Sequence, residues 1–521
     1  YYNLETVDGL ARNFGQYQDL FGDPTYFAQF MKRVQSLSAE DILKTARKYL
    51  GGKGFSAIVM SPGQEAPVGA LMRKWVKTYR KNVGAAVKGK IAAAKGKAAR
   101  KIVWVAKPPA ELRSNVEKWE LDNGIAVITR PSFDTPVISL RSASLGGSRL
   151  ETANNQGATE MLARVWTSGA GPWSEIDLNH RIDALAGSLS AFGGRNSEGL
   201  TMTCLKPFTK EMLEMYFTTL TAPHFEETAI KREIKSMVEQ VKLRQDNPSQ
   251  LCMLDFMKNM FGDHPYGRDP YGDEAALLRL NSSVVREAYG RRTGLTIVAS
   301  GAFDPVEMRD EIQKALGTIN PGKGVLREWP IHYPDHDVTV FRESTKQQSH
   351  IMRGYPGLNL RDPERYTMQV MQAILAGQGG RLFVELRDKA SLAYSVAPMR
   401  MEGLEGGDFG AYIGCSPEKT DTALRMMRAE FSKLVDADVP AEELRRAQRY
   451  LIGKHDIELQ RNSAITSSIL FDSIYGIDHM ETYHYADRIR TVSAESIRAL
   501  AKRIFAKPSV TCVVGPTPAS A

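Results

Sequence analysis

No run of 18 or more apolar residues occurs in this 521-residue sequence, so nothing in it is typical of a transmembrane helix. Its four cysteines lie far apart with no C-x-x-C pair, which excludes a zinc ribbon and a disulfide scaffold. The first residues contain neither an initiator methionine nor a charged or apolar signal segment, so no targeting signal is visible. With 42% hydrophobic residues the chain can bury large cores, which excludes wholesale disorder.

Acidic residues are absent between Ala66 and Ala110, a stretch that holds 12 of the 68 lysines and arginines. Without it the chain has 56 basic and 60 acidic residues, so the net charge of +8 becomes −4. The stretch is rich in Ala, Gly and Lys and has too few large apolar residues to form a core. We therefore predict an interdomain linker over residues 66–111. Contact with nucleic acid or an anionic membrane, anchored by Trp75 and Tyr79, is the alternative.

Three segments repeat one pattern, an amphipathic helix followed by a strand that is apolar enough to be buried. They are residues 31–62, residues 486–515 and, more weakly, residues 282–301. In the first two, a serine (Ser38 or Ser493) stands at the predicted N-cap of the helix. The pattern therefore marks the ends of three similar structural units.

Residues 112–330 and 331–521 each read as a strand–helix–strand order followed by several helices. This order predicts an α+β fold, in which duplicated units have an antiparallel or mixed sheet with helices packed on one face. Residues 1–65 contain only the last helix and strand of such a unit. We expect them to be the C-terminal tail of an upstream unit, and the chain to be a fragment.

Two short motifs give the family resemblance: GGSRLE at Gly146–Glu151, before a helix, and DHPYG at Asp263–Gly267, after a long one. With the duplicated α+β units, they resemble the pitrilysin/insulinase-type zinc metallopeptidases over essentially the whole chain. The resemblance implies that each half of the full protein has two such units. It also implies that the active half carries H-x-x-E-H on one helix and a third zinc ligand, Glu, about 76 residues later.

The matching stretch here is GATEMLARVWTSGA, residues 157–170, which has neither histidine of the family motif. Its motif positions hold Glu160, Ala163 and Arg164, and the distal position holds Gln240. Arg164 would place a fixed positive charge where the family binds a dication. Glu160 and Arg164 are spaced to form an i, i+4 pair, which contributes about 0.2–0.5 kcal/mol to a helix. We therefore expect no zinc in this chain.

The fourth unit keeps more of the family pattern. GQGGRLFVELRDKASLAYSV, residues 377–396, matches a segment whose Arg and Tyr hold the substrate backbone in active relatives, and the resemblance assigns this role to Arg387 and Tyr394. A guanidinium and a phenol can both donate hydrogen bonds to a peptide carbonyl. In the alternative, Arg387 pairs with an acid of its own helix near Glu385, and Tyr394 packs against the sheet.

The resemblance implies a non-catalytic C-terminal half of a zinc metalloendopeptidase, inactive by itself, that forms part of a peptide-binding chamber. The zinc would belong to a missing or partner half, joined covalently or as a separate chain. The alternative is a catalytically dead structural or partner-binding subunit of a processing-peptidase-like complex. The expected partners are peptides or unfolded proteins and the catalytic half, with no nucleic acid. Substrate identity is not readable, and the compartment stays open between bacterial periplasm and cytoplasm.

Overall fold

The structure is a computed structural model that describes residues 2–50, 69, 72–78, 81, 116–321 and 328–517. The chain divides into two compact units. The smaller unit is Val7–Val103, and the larger joins Tyr1–Thr6 to Trp104–Ala521. Most of the predicted linker lies outside the described residues, although residues 72–78 are helical.

The described part of the smaller unit begins with three helices. They are α1 (Val7–Phe21), α2 (Phe27–Gln35) and α3 (Ala39–Leu50). Ser38 caps α3 as the sequence predicts: its hydroxyl accepts from the backbone N–H of Asp41 at 3.2 Å, and the Asp41 carboxylate accepts from the backbone N–H of Ser38 at 3.0 Å. None of the three helices has a buried residue. The strand predicted after α3 lies outside the described residues.

The first half of the larger unit contains a six-stranded mixed sheet in the order β1-β2-β8-β3-β7-β6. Its strands are β1 (Glu117–Glu120), β2 (Ala126–Pro131), β3 (Val137–Leu145), β6 (Ser188–Gly193), β7 (Ser197–Leu205) and β8 (Thr293–Gly301). Strands β2 and β8 run parallel and the other neighbours antiparallel. Two short strands, β4 (Gly169–Ala170) and β5 (Trp173–Ser174), pair separately.

Eight α-helices of the first half lie within the described residues, and all of them except Pro248–Phe261 share a buried cluster with this sheet. They are α4 (Ala158–Val165), α5 (Glu175–Ala184), α6 (Thr209–Thr221), α7 (Glu227–Gln245), α8 (Pro248–Phe261), α9 (Glu274–Leu277), α10 (Ser282–Gly290) and α11 (Pro305–Leu316). Ile138, Leu140 and Leu200 from the strands share one buried cluster with Trp166 and Tyr216 from the helical layer. The core therefore lies between the sheet and its own helices.

The second half repeats this plan with a five-stranded sheet in the order β11-β12-β10-β13-β9. Its strands are β9 (Val338–Glu343), β10 (Ser349–Pro356), β11 (Ala393–Glu402), β12 (Gly407–Cys415) and β13 (Val510–Gly515). Its helices are α12 (Arg365–Leu375), α13 (Thr420–Asp436), α14 (Ala441–Glu458), α15 (Asn462–Ile474), α16 (Glu481–Arg490) and α17 (Ala494–Phe505). Phe383–Lys389 forms a π-helical turn.

The repeated pattern of helix and strand occupies equivalent places in the two halves. In the first, α10 leads into β8, which pairs in parallel with β2; in the second, α17 leads into β13, which pairs in parallel with β9. The predicted cap at Ser493 forms a reciprocal capping box with Ser496. The duplication read from the sequence is therefore a duplication of structure.

Each half also contributes one helix to the sheet of the other. Phe256 and Met260 of α8 share a buried cluster with Val514 of β13. Ile465 and Ile469 of α15 share another buried cluster with residues of β2, β3 and β8. Each sheet is thus covered by its own helices on one face and by a borrowed helix on the other. The fold predicted from the sequence has helices on one face of each sheet only. The helix on the other face belongs to the opposite half, and the sequence of one half does not reveal it.

None of the helices within the described ranges is both long and apolar enough to cross a membrane.

Candidate functional site

The loop GGSRLE fixes the start of α4, the helix that carries the degenerate motif. Gly157 stands at its N-terminus with φ +90°, where a Cβ atom would lie 2.7 Å from the carbonyl oxygen of Tyr271. The buried carboxylate of Glu151 accepts from the backbone N–H groups of Gly157 at 2.9 Å and Thr159 at 2.7 Å. Burial raises the pKa of this carboxyl. The acid satisfies N–H groups that a helix terminus leaves without partners.

Helix α4 lies directly against the edge strand β6. Gly193 makes this approach possible, because a Cβ atom there would lie 2.7 Å from the carbonyl oxygen of Thr159. Strand β6 pairs with β7 on one side only. The helix with the degenerate motif therefore stands beside a sheet edge whose outer backbone groups have no strand partner in the part of the chain that the structure describes.

The degenerate motif positions converge on the guanidinium of Arg164. Its Nε donates to Glu160 at 2.8 Å, so the predicted i, i+4 pair is formed. One terminal nitrogen donates to the side-chain oxygen of Gln240 at 2.7 Å, and the other lies 3.7 Å from a carboxylate oxygen of Glu233. Ala163 is the neighbouring residue in α4 and offers only a methyl group. The arginine thus links α4 to α7 across 76 residues of sequence.

This arrangement does not fit a metal ion. A guanidinium has donors but no lone pair, and here it already occupies the oxygen atoms that could have served as ligands. Two carboxylates and an amide surround one fixed positive charge, so a dication at the same place would be repelled by Arg164. Within residues 2–50, 116–321 and 328–517, no group of three or more His, Cys, Asp or Glu side chains could hold a metal.

Tyr271 and Arg244 form a second layer of side chains around Arg164. The ring of Tyr271 lies 5.7 Å from the Arg164 guanidinium and 3.6 Å from that of Arg244. Arg244 in turn pairs with Asp269 at 2.8 Å. The tyrosine thus contacts two cations through its ring. No motif marks it, because the loop that carries it comes close to α4 only in the folded chain.

Arg387 and Tyr394 lie close together in the second half. The Arg387 guanidinium stands 4.5 Å from the ring of Phe383 and 5.7 Å from that of Tyr394. Tyr394 lies on the edge strand β11 and is 82% exposed. The Arg387 side chain is exposed and forms no hydrogen bond or ion pair with any residue that the structure describes.

The alternative arrangement of these two side chains is not observed. Glu385, the acid near Arg387, pairs with Lys389 at 2.8 Å. Arg387 lies instead within the π-helical turn, a feature that is frequent at functional sites. The exposed ring of Tyr394 does not pack into the sheet core.

Each half of the larger unit matches the model of a known protein family. Residues 145–274 match the model of Insulinase (Peptidase family M16), and residues 286–451 match that of the Peptidase M16 inactive domain. The first match contains the whole Arg164 cluster. The second contains Arg387 and Tyr394.

Two relatives each match about three quarters of the chain. An uncharacterized zinc protease of Streptomyces coelicolor is 26% identical over 77% of this chain and 90% of its own length. The uncharacterized zinc protease YmxG of Bacillus subtilis is 21% identical over 77% of this chain and 98% of its own length.

Two solved structures share the fold. A peptidase M16 inactive domain from Pseudomonas fluorescens superposes with a TM-score of 0.73 at 18% identity, covering 78% of this chain and 99% of its own. A protease from Helicobacter pylori gives 0.71 at 16% identity, with 77% and 100% coverage. The two solved structures share the duplicated α+β architecture, and models of one peptidase family match both halves, so the chain belongs to the pitrilysin/insulinase (M16) family, with residues 286–451 matching its inactive domain.

Proposed function

We propose that this chain forms one wall of a peptide-binding chamber and supports proteolysis by a zinc-containing half located elsewhere. That half would belong to the same polypeptide or to a separate chain and would supply the metal and its activated water. Arg387 and Tyr394 of this chain would hold the backbone of a peptide or unfolded protein. The observation that carries the proposal is the pairing of an exposed tyrosine ring with an arginine that has no acidic partner among the residues that the structure describes.

The chemistry of this pair suits a peptide backbone. A guanidinium offers five N–H donors and a phenol offers one O–H, and peptide carbonyls are acceptors. Because the Arg387 guanidinium makes no hydrogen bond within the described residues, a ligand would not have to displace an existing partner. The ring of Phe383 beneath the guanidinium limits its freedom, which reduces the entropy lost on binding.

Two edge strands favour an extended ligand. Strands β6 and β11 end their sheets, so one side of each has backbone N–H and C=O groups without a strand partner within the described ranges. A peptide can add to such an edge as a further strand, with the main chain giving affinity. Tyr394 lies within β11, so a peptide on that edge would pass beside its ring. A peptide on β6 would pass beside α4 and the Arg164 cluster.

The smaller unit supports the proposed domain arrangement, in which residues 1–65 are the tail of an upstream α+β unit, 66–111 a linker, and 112–330 and 331–521 the two complete units. Val34, Leu37 and Ile42 align with Ile489, Val492 and Ile497. The three residues of the second half are buried in its core. Their counterparts in α2–α3 are 43–63% exposed. This apolar face would suit the sheet and helices of an upstream unit.

Binding of an unfolded peptide to the purified chain tests the proposed role of the pair. A fluorescein-labelled casein peptide would be titrated by fluorescence anisotropy against wild type, Arg387→Ala and Tyr394→Ala. We expect each variant to bind about five- to tenfold more weakly, equivalent to roughly 1–1.4 kcal/mol.

Matched surface variants control for general effects on charge and exposed aromatic area. Arg425 and Tyr450 are also exposed helix residues, and Arg425→Ala and Tyr450→Ala should bind like wild type. If all four variants bind equally well, Arg387 and Tyr394 have no role in peptide recognition. If wild type binds no peptide at all, the structural or partner-binding subunit becomes the better description.

A further inference from the structure

A cavity of about 310 Å³ lies within the first half of the larger unit, apart from both sites described above. It opens between the C-terminal ends of α6 and α10, the start of β8, and the segment that follows α11. Thr221, Tyr289 and Leu295 are among its lining residues. Its volume is at the lower end of the range of small-molecule sites, about 300–1,000 Å³.

Arg292 is the one charged residue among the described residues that line this cavity. Its Nε donates to the carbonyl oxygen of Tyr289 at 2.6 Å. The guanidinium lies 3.7 Å from the ring of Tyr289 and 4.7 Å from that of Trp166. Two aromatic rings and a helix carbonyl therefore fix the cation in place.

No carboxylate forms an ion pair with Arg292 in the described part of the chain. Glu198 is the carboxylate whose charge acts on the Arg292 guanidinium, without an ion pair between the two, and it accepts a hydrogen bond from the backbone N–H of Gly147 at 3.1 Å. Burial is the main influence on Arg292 and lowers its pKa. The guanidinium is thus withdrawn from water without a direct counter-charge, a state that an anionic ligand would relieve.

The rest of the wall sets the shape of the ligand. Leu220, Leu295, Ile319 and Pro321 give apolar surface beside Arg292. Pockets of this kind take ligands that place a polar group on the fixed donor and an apolar body against the remaining wall. One cation matches one negative charge. We infer that this cavity binds a small organic monoanion, a carboxylate with an apolar body, through Arg292. This inference does not rest on the proposed peptide-binding function.

Isothermal titration of the full chain with hexanoate tests this inference, with hexan-1-ol as the uncharged probe of the same chain length. We expect hexanoate to bind at least about tenfold more tightly than hexan-1-ol, because only the carboxylate can form charge-assisted hydrogen bonds. Arg292→Gln should weaken hexanoate binding by about tenfold or more and leave hexan-1-ol unchanged. Arg309→Gln is the control, since Arg309 also stands over an aromatic ring, that of Trp119 at 4.4 Å, but outside the cavity.

A second pair of variants keeps the test independent of Arg292, whose loss could also weaken the end of α10. Gly290 lines the cavity, and a Cβ atom added there meets nothing within 4 Å. Gly290→Leu should therefore fill part of the cavity and weaken hexanoate binding without strain. Gly453→Leu adds the same side chain at another open helix position and should bind like wild type. Equal binding of hexanoate to wild type, Arg292→Gln and Gly290→Leu, or no binding to wild type, would overturn the inference.

Discussion

Two arginines of this chain show how the same side chain takes opposite roles in the two halves. Arg164 is 18% exposed and is bound by Glu160, Gln240 and Glu233. Arg387 is exposed and touches only aromatic rings within the described residues. The first neutralises a group of acids and joins two helices. The second keeps its donors available. The two arginines differ in role because the fold surrounds Arg164 with acids and an amide and Arg387 with aromatic rings.

The largest expected effect is on stability. Arg164→Ala should lower the free energy of unfolding by about 2–3 kcal/mol, because it leaves two carboxylates facing one another in a partly buried site. Arg387→Ala should change it by less than about 0.5 kcal/mol, as an exposed residue without a polar partner. Urea denaturation followed by circular dichroism measures both.

Removing the acids together with the cation shows whether charge is the cause. The triple variant Arg164→Ala, Glu160→Gln, Glu233→Gln should recover about half of the lost stability, since no uncompensated carboxylate remains. A loss in Arg164→Ala no greater than that in Arg387→Ala would mean that the cluster is not a structural link.

Glu198 is an acid of the same half that is more deeply buried than Glu160 and Glu233. Burial raises the pKa of its carboxyl from 4.5 to about 7. The folded chain therefore holds a proton that the unfolded chain loses above pH 4.5, so the contribution of Glu198 to stability is fully present below pH 4.5. It is lost as the pH rises through 7.

Glu198→Gln removes this titration and keeps an acceptor for the Gly147 N–H group. The variant should match wild type near pH 4.5 and become more stable by up to about 2 kcal/mol at pH 8. Urea denaturation at several pH values between 4.5 and 8 gives the difference. Parallel stability curves for the two proteins would contradict the assigned burial effect.

Peptide affinity should depend on Arg387 and not on Arg164, which is the reverse of the expected effect on stability. Arg164→Ala should change the affinity for the labelled casein peptide by less than about twofold, provided that the variant is folded, because its guanidinium is already engaged. Arg387→Ala should lower it by about five- to tenfold, or 1–1.4 kcal/mol. Equal losses in both variants would mean that peptide binding follows overall stability and not the exposed pair.

The smallest expected effect concerns cations. In Arg164→Ala, millimolar Mn²⁺ should raise the free energy of unfolding by about 0.5–1 kcal/mol, since Glu160, Glu233 and Gln240 would then offer oxygen atoms to a cation. Wild type should not respond, because the guanidinium occupies those atoms. If Mn²⁺ stabilises Arg164→Ala and the triple variant equally, the ion does not bind at the two carboxylates.

Several parts of the fold could be read from the sequence because the signal is local. The cap at Ser493, the helices α7 and α17 and the apolar strand β13 depend on spacing and composition within a short window. The pair of Glu160 and Arg164 also depends only on four-residue spacing in one helix. The duplication was visible for the same reason, since each copy repeats a local pattern.

Other parts escaped because their stability comes from distant partners. The edge strands β6 and β11 have mixed exposure without a clear alternation, so their sequences do not indicate strands. The exchange of α8 and α15 between the halves has no sequence signal, because an apolar helix face does not specify which sheet will cover it.

The sequence by itself determined many of the helical and extended segments and their duplication, and it predicted the departure from the family's zinc motif at Glu160, Ala163, Arg164 and Gln240. Only the tertiary structure decided that Arg164 joins α4 to α7, that the Arg387 side chain beside Tyr394 has no polar partner among the described residues, and that Arg292 lines a cavity. Local propensities act over a few residues. The charge balance around a side chain depends instead on groups that come from far along the chain and meet only when both halves are folded.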